Sequence, residues 1–149
     1  LGNALFYHLT RSTAEALVPS LAAKSRQAGW RVELRGTESA RMARLDELLW
    51  QGDGFLPHGL AGGPHDALQP VLLTVAGQDE PPGADCLIAI DGAAIDPAEC
   101  IRAQRVCVVF DGNDPAAVER ARDQWRNLTG ARVAAEYWSE AAGRWEKKR

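Results

Sequence analysis

Arg122 and Arg126 stand four residues apart and flank Trp125, in a run where Val118, Ala121, Trp125 and Leu128 recur at three- and four-residue spacing. On a helix that spacing makes one apolar stripe with two guanidinium groups beside it. Arginine offers a carboxylate forked hydrogen bonds, and an indole edge offers apolar contact. The segment therefore has the chemistry of a receptor for an acidic peptide with an apolar end. The same pattern also describes a core stripe flanked by surface arginines that Glu119 and Asp123 compensate. The residues alone leave both readings open.

A second group is aromatic. Trp50 precedes a Gly-rich break, and Phe55-Leu56-Pro57-His58 follows it. Exposed aromatics at a helix end and on a loop form docking patches, because interfaces are enriched in them. Here too an alternative stands, that these residues roof the core.

Catalytic and cofactor chemistry finds less support. A phosphate cradle needs a glycine-rich turn between a strand and a helix. Thr10-Arg11-Ser12-Thr13 has no glycine there, Gly36-Thr37-Glu38-Ser39 has one, and Asp111-Gly112-Asn113-Asp114 carries two carboxylates that would repel a phosphate. His8, His58 and His65 include no pair at the spacing of a helical metal site. The loop could bring His58 near Asp66, but a structural hydrogen bond is the expected role of His58, and Asp46-Glu47 is expected to lie on a solvated helix face. No Gly-x-Ser-x-Gly elbow occurs. No catalytic residue, metal or cofactor is expected, and the chain reads as a non-enzyme. A small nucleotide- or S-adenosylmethionine-binding enzyme remains the alternative, because one layered fold hosts many functions.

The elements that must position these groups alternate between strand and helix. Ala4–Leu9, Trp30–Leu34, Pro70–Val75, Cys86–Ile90, Val106–Phe110 and Val133–Trp138 read as strands. Helices are expected from Thr13 as cap to about Gln27, from Glu38 to Trp50, around Pro97–Ala103, and from Asp114 as cap through Pro115 to Leu128. Phe55–Asp66 reads as an ordered loop and Gly77–Gly83 as a turn, with a charged tail at the end. This order predicts one domain over residues 1–149: a three-layer α/β/α fold with a mostly parallel central sheet, Rossmann-like but without a nucleotide-binding loop. The wholly apolar runs at 86–90 and 106–110 suit central strands covered on both faces.

Composition sets the class of partner. With 17 basic and 20 acidic side chains the formal charge is −3, which disfavours strong direct nucleic-acid binding. Three cysteines without CxxC spacing point to free thiols in a reducing cytoplasm. No apolar stretch is long enough for a membrane span, and no secretory leader is visible.

Several segments in order resemble one family, the chi subunit of DNA polymerase III. They are Phe6-Tyr7, Leu45-Asp46-Glu47-Leu48-Leu49-Trp50, Phe55-Leu56-Pro57-His58-Gly59-Leu60-Ala61-Gly62, Gln69-Pro70-Val71-Leu72-Leu73-Thr74, Phe110-Asp111-Gly112-Asn113-Asp114, Gln124-Trp125 and Gly143-Arg144-Trp145-Glu146-Lys147-Lys148. The Leu-Asp-Glu-x-Leu-Trp run followed by Phe-x-Pro-His is the most specific part. The resemblance implies a non-catalytic adaptor of the clamp-loader complex with two binding surfaces. One would take the acidic C-terminal tail of single-stranded DNA-binding protein, through Arg122, Trp125 and Arg126. The other, around Trp50, Phe55, Pro57 and His58, would dock a psi subunit or a helicase. A position that is basic in some relatives falls near Val118 in this chain.

Overall fold

The computed structural model describes residues 3–51, 56–62, 66, 69–77 and 83–149. Strand β1 (Asn3–Leu9) leads to helix α1 (Ala14–Gln27), β2 (Val32–Gly36) and α2 (Ser39–Gln51). Then come β3 (Gly59–Leu60), β4 (Val71–Val75), β5 (Cys86–Ala89), α3 (Pro97–Arg102) and β6 (Arg105–Asp111). The chain closes with α4 (Pro115–Gly130), β7 (Ala134–Ser139) and β8 (Glu146–Lys147). The strands form one sheet in the order β3-β4-β2-β5-β6-β1-β7-β8. Every pairing described is parallel except β7 with β8.

Side-chain alternation along the strands divides the core in two. On β6, Cys107 and Val109 face α1 and α2, where they join Val18, Met42, Leu45 and Leu49. Val106, Val108 and Phe110 face the other way, toward Cys100 of α3 and Ala121 and Leu128 of α4. Two apolar faces on one strand explain why its sequence shows no polar alternation. All three cysteines are free and buried within these clusters.

Helix starts follow from caps. The Thr13 hydroxyl accepts from the Ala16 N–H at 3.2 Å, and Asp96 and Glu99 form a reciprocal capping box on α3, each satisfying donors that a first turn leaves unpaired. The buried stripe of α1 is Val18, Ala22 and Ser25, with Leu17 and Leu21 at its edge. β2 begins two residues later than its apolar run suggests, since it takes its register from β4 and β5. β3 falls inside the segment read as a loop, and β8 inside the charged tail. Two-residue strands carry no periodicity of their own, so only their neighbours define them.

The connections β1-α1-β2 and β6-α4-β7 run in opposite directions across the sheet. Right-handed crossovers then place α1 and α4 on opposite faces. β1 and β6 are neighbours, so a crevice opens beyond their carboxyl ends. In open α/β sheets that switch point is where ligands usually bind.

Candidate functional site

Helix α4 begins at Asp114, whose carboxylate accepts from the Ala116 N–H at 3.0 Å, with Pro115 in the first turn. Burial of Ala117, Ala121 and Leu128 fixes its rotation on the sheet. That rotation sets Arg122, Trp125 and Arg126 around one cavity of about 550 Å³, with Val118 and Ala121 contributing apolar lining. The three residues singled out from sequence are thus brought together. Val118 presents an apolar side chain to this cavity.

Trp125 is half-buried and serves two surroundings at once. Its ring meets Phe6 edge-on at 5.2 Å between centroids and 71°, and meets Tyr137 at 6.0 Å and 76°. Arg122 is 64% exposed, 3.6 Å from Glu119, and Arg126 is 68% exposed, 3.0 Å from Asp123. Exposed pairs of this kind contribute only about 0.3–0.5 kcal/mol, so an arriving carboxylate competes for either guanidinium at little cost.

The facing wall comes from Tyr137 on β7 and from Lys148 and Arg149 after β8. The Tyr137 hydroxyl is hydrogen-bonded to Nδ1 of His8. Burial pushes the Tyr137 phenol above its ordinary pKa, against the opposing pull of Arg122 and Arg149. Burial lowers His8, a backbone hydrogen bond with Gly112 opposes that, and Arg122 lowers it further. Both shifts favour the uncharged form, and the charged side chains lining the cavity are basic.

The aromatic group lies elsewhere. Trp50, 54% exposed, ends α2 and sits over the ring of His58, with centroids 4.2 Å apart. The His58 side chain is wholly buried. Its Nδ1 bonds the Leu56 carbonyl at 2.6 Å, while Nε2 bonds the Asp46 carbonyl at 3.0 Å and lies 3.2 Å from Oδ1 of that residue. His58 thus makes the structural hydrogen bonds expected of it, with Leu56 and Asp46, while the Asp66 carboxylate accepts from the Gly62 N–H at 2.9 Å. Asp46 is accordingly drawn off a purely solvated face. α2 packs beside β3, which folds residue 58 back over residue 46. Pro57 is half-buried, and Leu48 and Leu60 are exposed nearby on the same elements. Phe55 lies outside the described residues.

The two groups are well separated. β4, beside α2, and β7, beside α4, stand five strand spacings apart in the sheet order, roughly 24 Å. The helices also cover opposite faces.

The crevice at the switch point is a third feature, of about 680 Å³, lined by the loop from Thr10 to Thr13 and by Asp111, Asn113 and Asp114. Three backbone donors of that loop are already used. Glu140 Oε1 accepts from the N–H groups of Thr10, Arg11 and Ser12 at 3.0, 2.8 and 2.6 Å, and Oε2 accepts from the Ser12 hydroxyl at 2.8 Å. A carboxylate from the chain itself thus takes N–H groups that a phosphate at the start of α1 would need.

A family model described as the DNA polymerase III chi subunit, HolC, matches residues 1–136. The chain belongs to the chi family. It is accordingly a replication accessory subunit of DNA polymerase III. Among solved structures, the C-terminal domain of a possible DNA helicase from Lactobacillus plantarum WCFS1 aligns with a TM-score of 0.56. Its identity is 15%, over 91% of this chain and 84% of that one, which supports the α/β fold alone. No curated protein matches the chain. Among the described residues, no helix is long and apolar enough to cross a membrane, and no group of His, Cys, Asp or Glu could hold a metal ion.

Against this chi framework, sequence reading missed Thr129, Tyr137, Lys148 and Arg149 in the α4 cavity. Thr129 had a signal, since it lies four residues after Trp125 and its hydroxyl donates to the Trp125 carbonyl at 2.7 Å. The others had none, because they reach the cavity only through strand pairing.

Proposed function

We propose that the chain is a non-catalytic adaptor linking the DNA polymerase III clamp-loader complex to the acidic C-terminal tail of single-stranded DNA-binding protein. Arg122 and Arg126 take carboxylates of the tail, and Trp125 takes its apolar end. The observation that carries this reading is the convergence of two lightly neutralised guanidiniums and a half-buried indole on one cavity. Titrating a labelled acidic tail peptide against wild type and Arg122→Ala tests it. Affinity should fall as salt rises, and the substitution should cost about 1.5–3 kcal/mol, as for a charged hydrogen bond. Equal affinities would remove Arg122 from the site.

The surface around Trp50 and Pro57 is proposed to dock a second protein, a psi subunit or a helicase, with Phe55 beside it in sequence; His58, expected at this surface, is instead buried beneath the indole and can only support it. A Trp over half exposed at a helix end supports this. Trp50→Ala should abolish capture of that partner in a pull-down while tail binding persists. The rival reading, a nucleotide- or S-adenosylmethionine-binding enzyme, has a crevice at the switch point to use, but Glu140 already takes the N–H groups of Thr10, Arg11 and Ser12 there. Thermal shift with ATP, NAD and S-adenosylmethionine separates the two, and clear stabilisation by any of them would favour the enzyme.

A further inference from the structure

The cavity beside α4 has a second wall, and its composition is informative. Strand β8 pairs antiparallel with β7, placing Lys147 opposite Trp138 and Glu146 opposite Ser139. The ladder continues past β8: the Lys148 N–H donates to the Tyr137 carbonyl at 2.6 Å, and the Tyr137 N–H donates to the Arg149 carbonyl at 3.2 Å. The segment is anchored on its other side by Trp145, whose ring stands edge-on to Tyr7 at 5.5 Å. Lys148 and Arg149 are therefore positioned by the sheet, across the cavity from Arg122 and Arg126. In this arrangement the Tyr137 phenol, raised mainly by burial, feels the opposing pull of both Arg122 and Arg149.

Four cations thus border the cavity, and among the described residues lining it there is no aspartate or glutamate. Lys148 has a carboxylate partner outside the lining, Glu146 at 3.0 Å, and both are solvent-exposed enough to exchange. Between the cations lie Trp125 and Tyr137. Such an arrangement suits a ligand with an apolar group in the middle and negative charges to both sides of it.

We infer that Lys148 and Arg149 are specificity-determining residues of this site, selecting peptides that carry several carboxylates rather than one. The inference rests on the tail-binding reading and extends it to a second row of cations. A single terminal carboxylate would satisfy the helix wall alone, whereas an acidic cluster ahead of an apolar residue reaches both walls.

The test uses a fluorescent peptide with an acidic cluster directly before an apolar C-terminal residue, titrated by anisotropy at several salt concentrations. The proteins are wild type, Arg122→Ala, and the double variant Lys148→Gln with Arg149→Gln. The glutamines keep the backbone ladder, and an unchanged melting temperature would verify that they do. The double variant should bind roughly tenfold more weakly, as for two exposed charge contacts, and its affinity should depend less steeply on salt. If Arg122→Ala loses binding while the double variant matches wild type, this inference is wrong and the tail-binding reading stands. A loss with unchanged salt dependence would also overturn it, since charge would not be the cause. If wild type itself fails to bind the peptide, both fall.

Discussion

Two cavities among the described residues, about 680 Å³ at the switch point and about 550 Å³ beside α4, are similar in size and opposite in electrostatic state. The larger one supplies its own anions. Glu140 fills the backbone donors of the β1–α1 loop, and Arg41 is held by Glu15 and, at 3.0 Å, by Asp91. The smaller one leaves its cations to solvent and to weak pairs on their own helix or strand. A net charge of −3 predicts neither state, because charge distribution rather than its sum sets a local potential. In the one, backbone donors at the start of α1 are taken by a carboxylate of the chain; in the other, cations are left with weak partners.

Removing the internal anion should have the largest effect. Glu140, only 5% exposed, serves three N–H groups and a hydroxyl, so Glu140→Ala should destabilise the fold by about 3 kcal/mol or more. Chemical denaturation measures this, and a loss under 1 kcal/mol would mean that water replaces the carboxylate freely. The same residue gives a pH signature. Burial pushes its carboxyl up, but the hydrogen bonds from Ser12, Arg11 and Thr10 outweigh that and hold it below the usual range. A carboxyl lowered in the folded state contributes stability above its unfolded pKa of about 4.3, and that contribution is lost as pH falls through the lower folded value. Wild type should therefore lose stability relative to Glu140→Gln below about pH 4. Parallel curves for the two proteins would refute the assignment.

A smaller effect is expected at Gly112, which packs against His8. A Cβ there would run into the His8 ring and lie 2.6 Å from the Leu9 carbonyl. Gly112→Ala should cost about 1–3 kcal/mol and, by displacing His8 from the Tyr137 hydroxyl, weaken tail binding as well. Retained peptide affinity in the folded variant would separate His8 from the site.

The smallest effect sharpens the contrast from the other side. Arg126→Ala removes an exposed pair with Asp123 and should change stability by no more than about 0.5 kcal/mol, while reducing affinity for the acidic peptide. A stability loss above 1 kcal/mol would make Arg126 a structural residue after all.

Legibility from sequence followed the range of the interaction. The helix at Pro115, its Asp114 cap and the shared edge of Arg122, Trp125 and Arg126 all depend on residues within one or two turns, so three- and four-residue spacing suffices to read them. The apolar run Val106–Phe110 shows a central strand for a similar reason: it is covered on both faces whatever covers it. His58 illustrates the limit. A structural hydrogen bond is legible as a need, but its partner is not, because Asp46 lies twelve residues earlier on a packed helix.

What the sequence determined by itself was the class of fold, the family motifs and the helical half of the α4 cavity, because these rest on local periodicity. Tertiary structure alone decided the rest. Only the pairing of β7 with β8 carries Lys148 and Arg149 to the second wall. Only the closing of the sheet lets Glu140 reach Ser12 across 128 residues. Which charges are satisfied and which are left open depends on contacts between distant segments, and no local pattern encodes them.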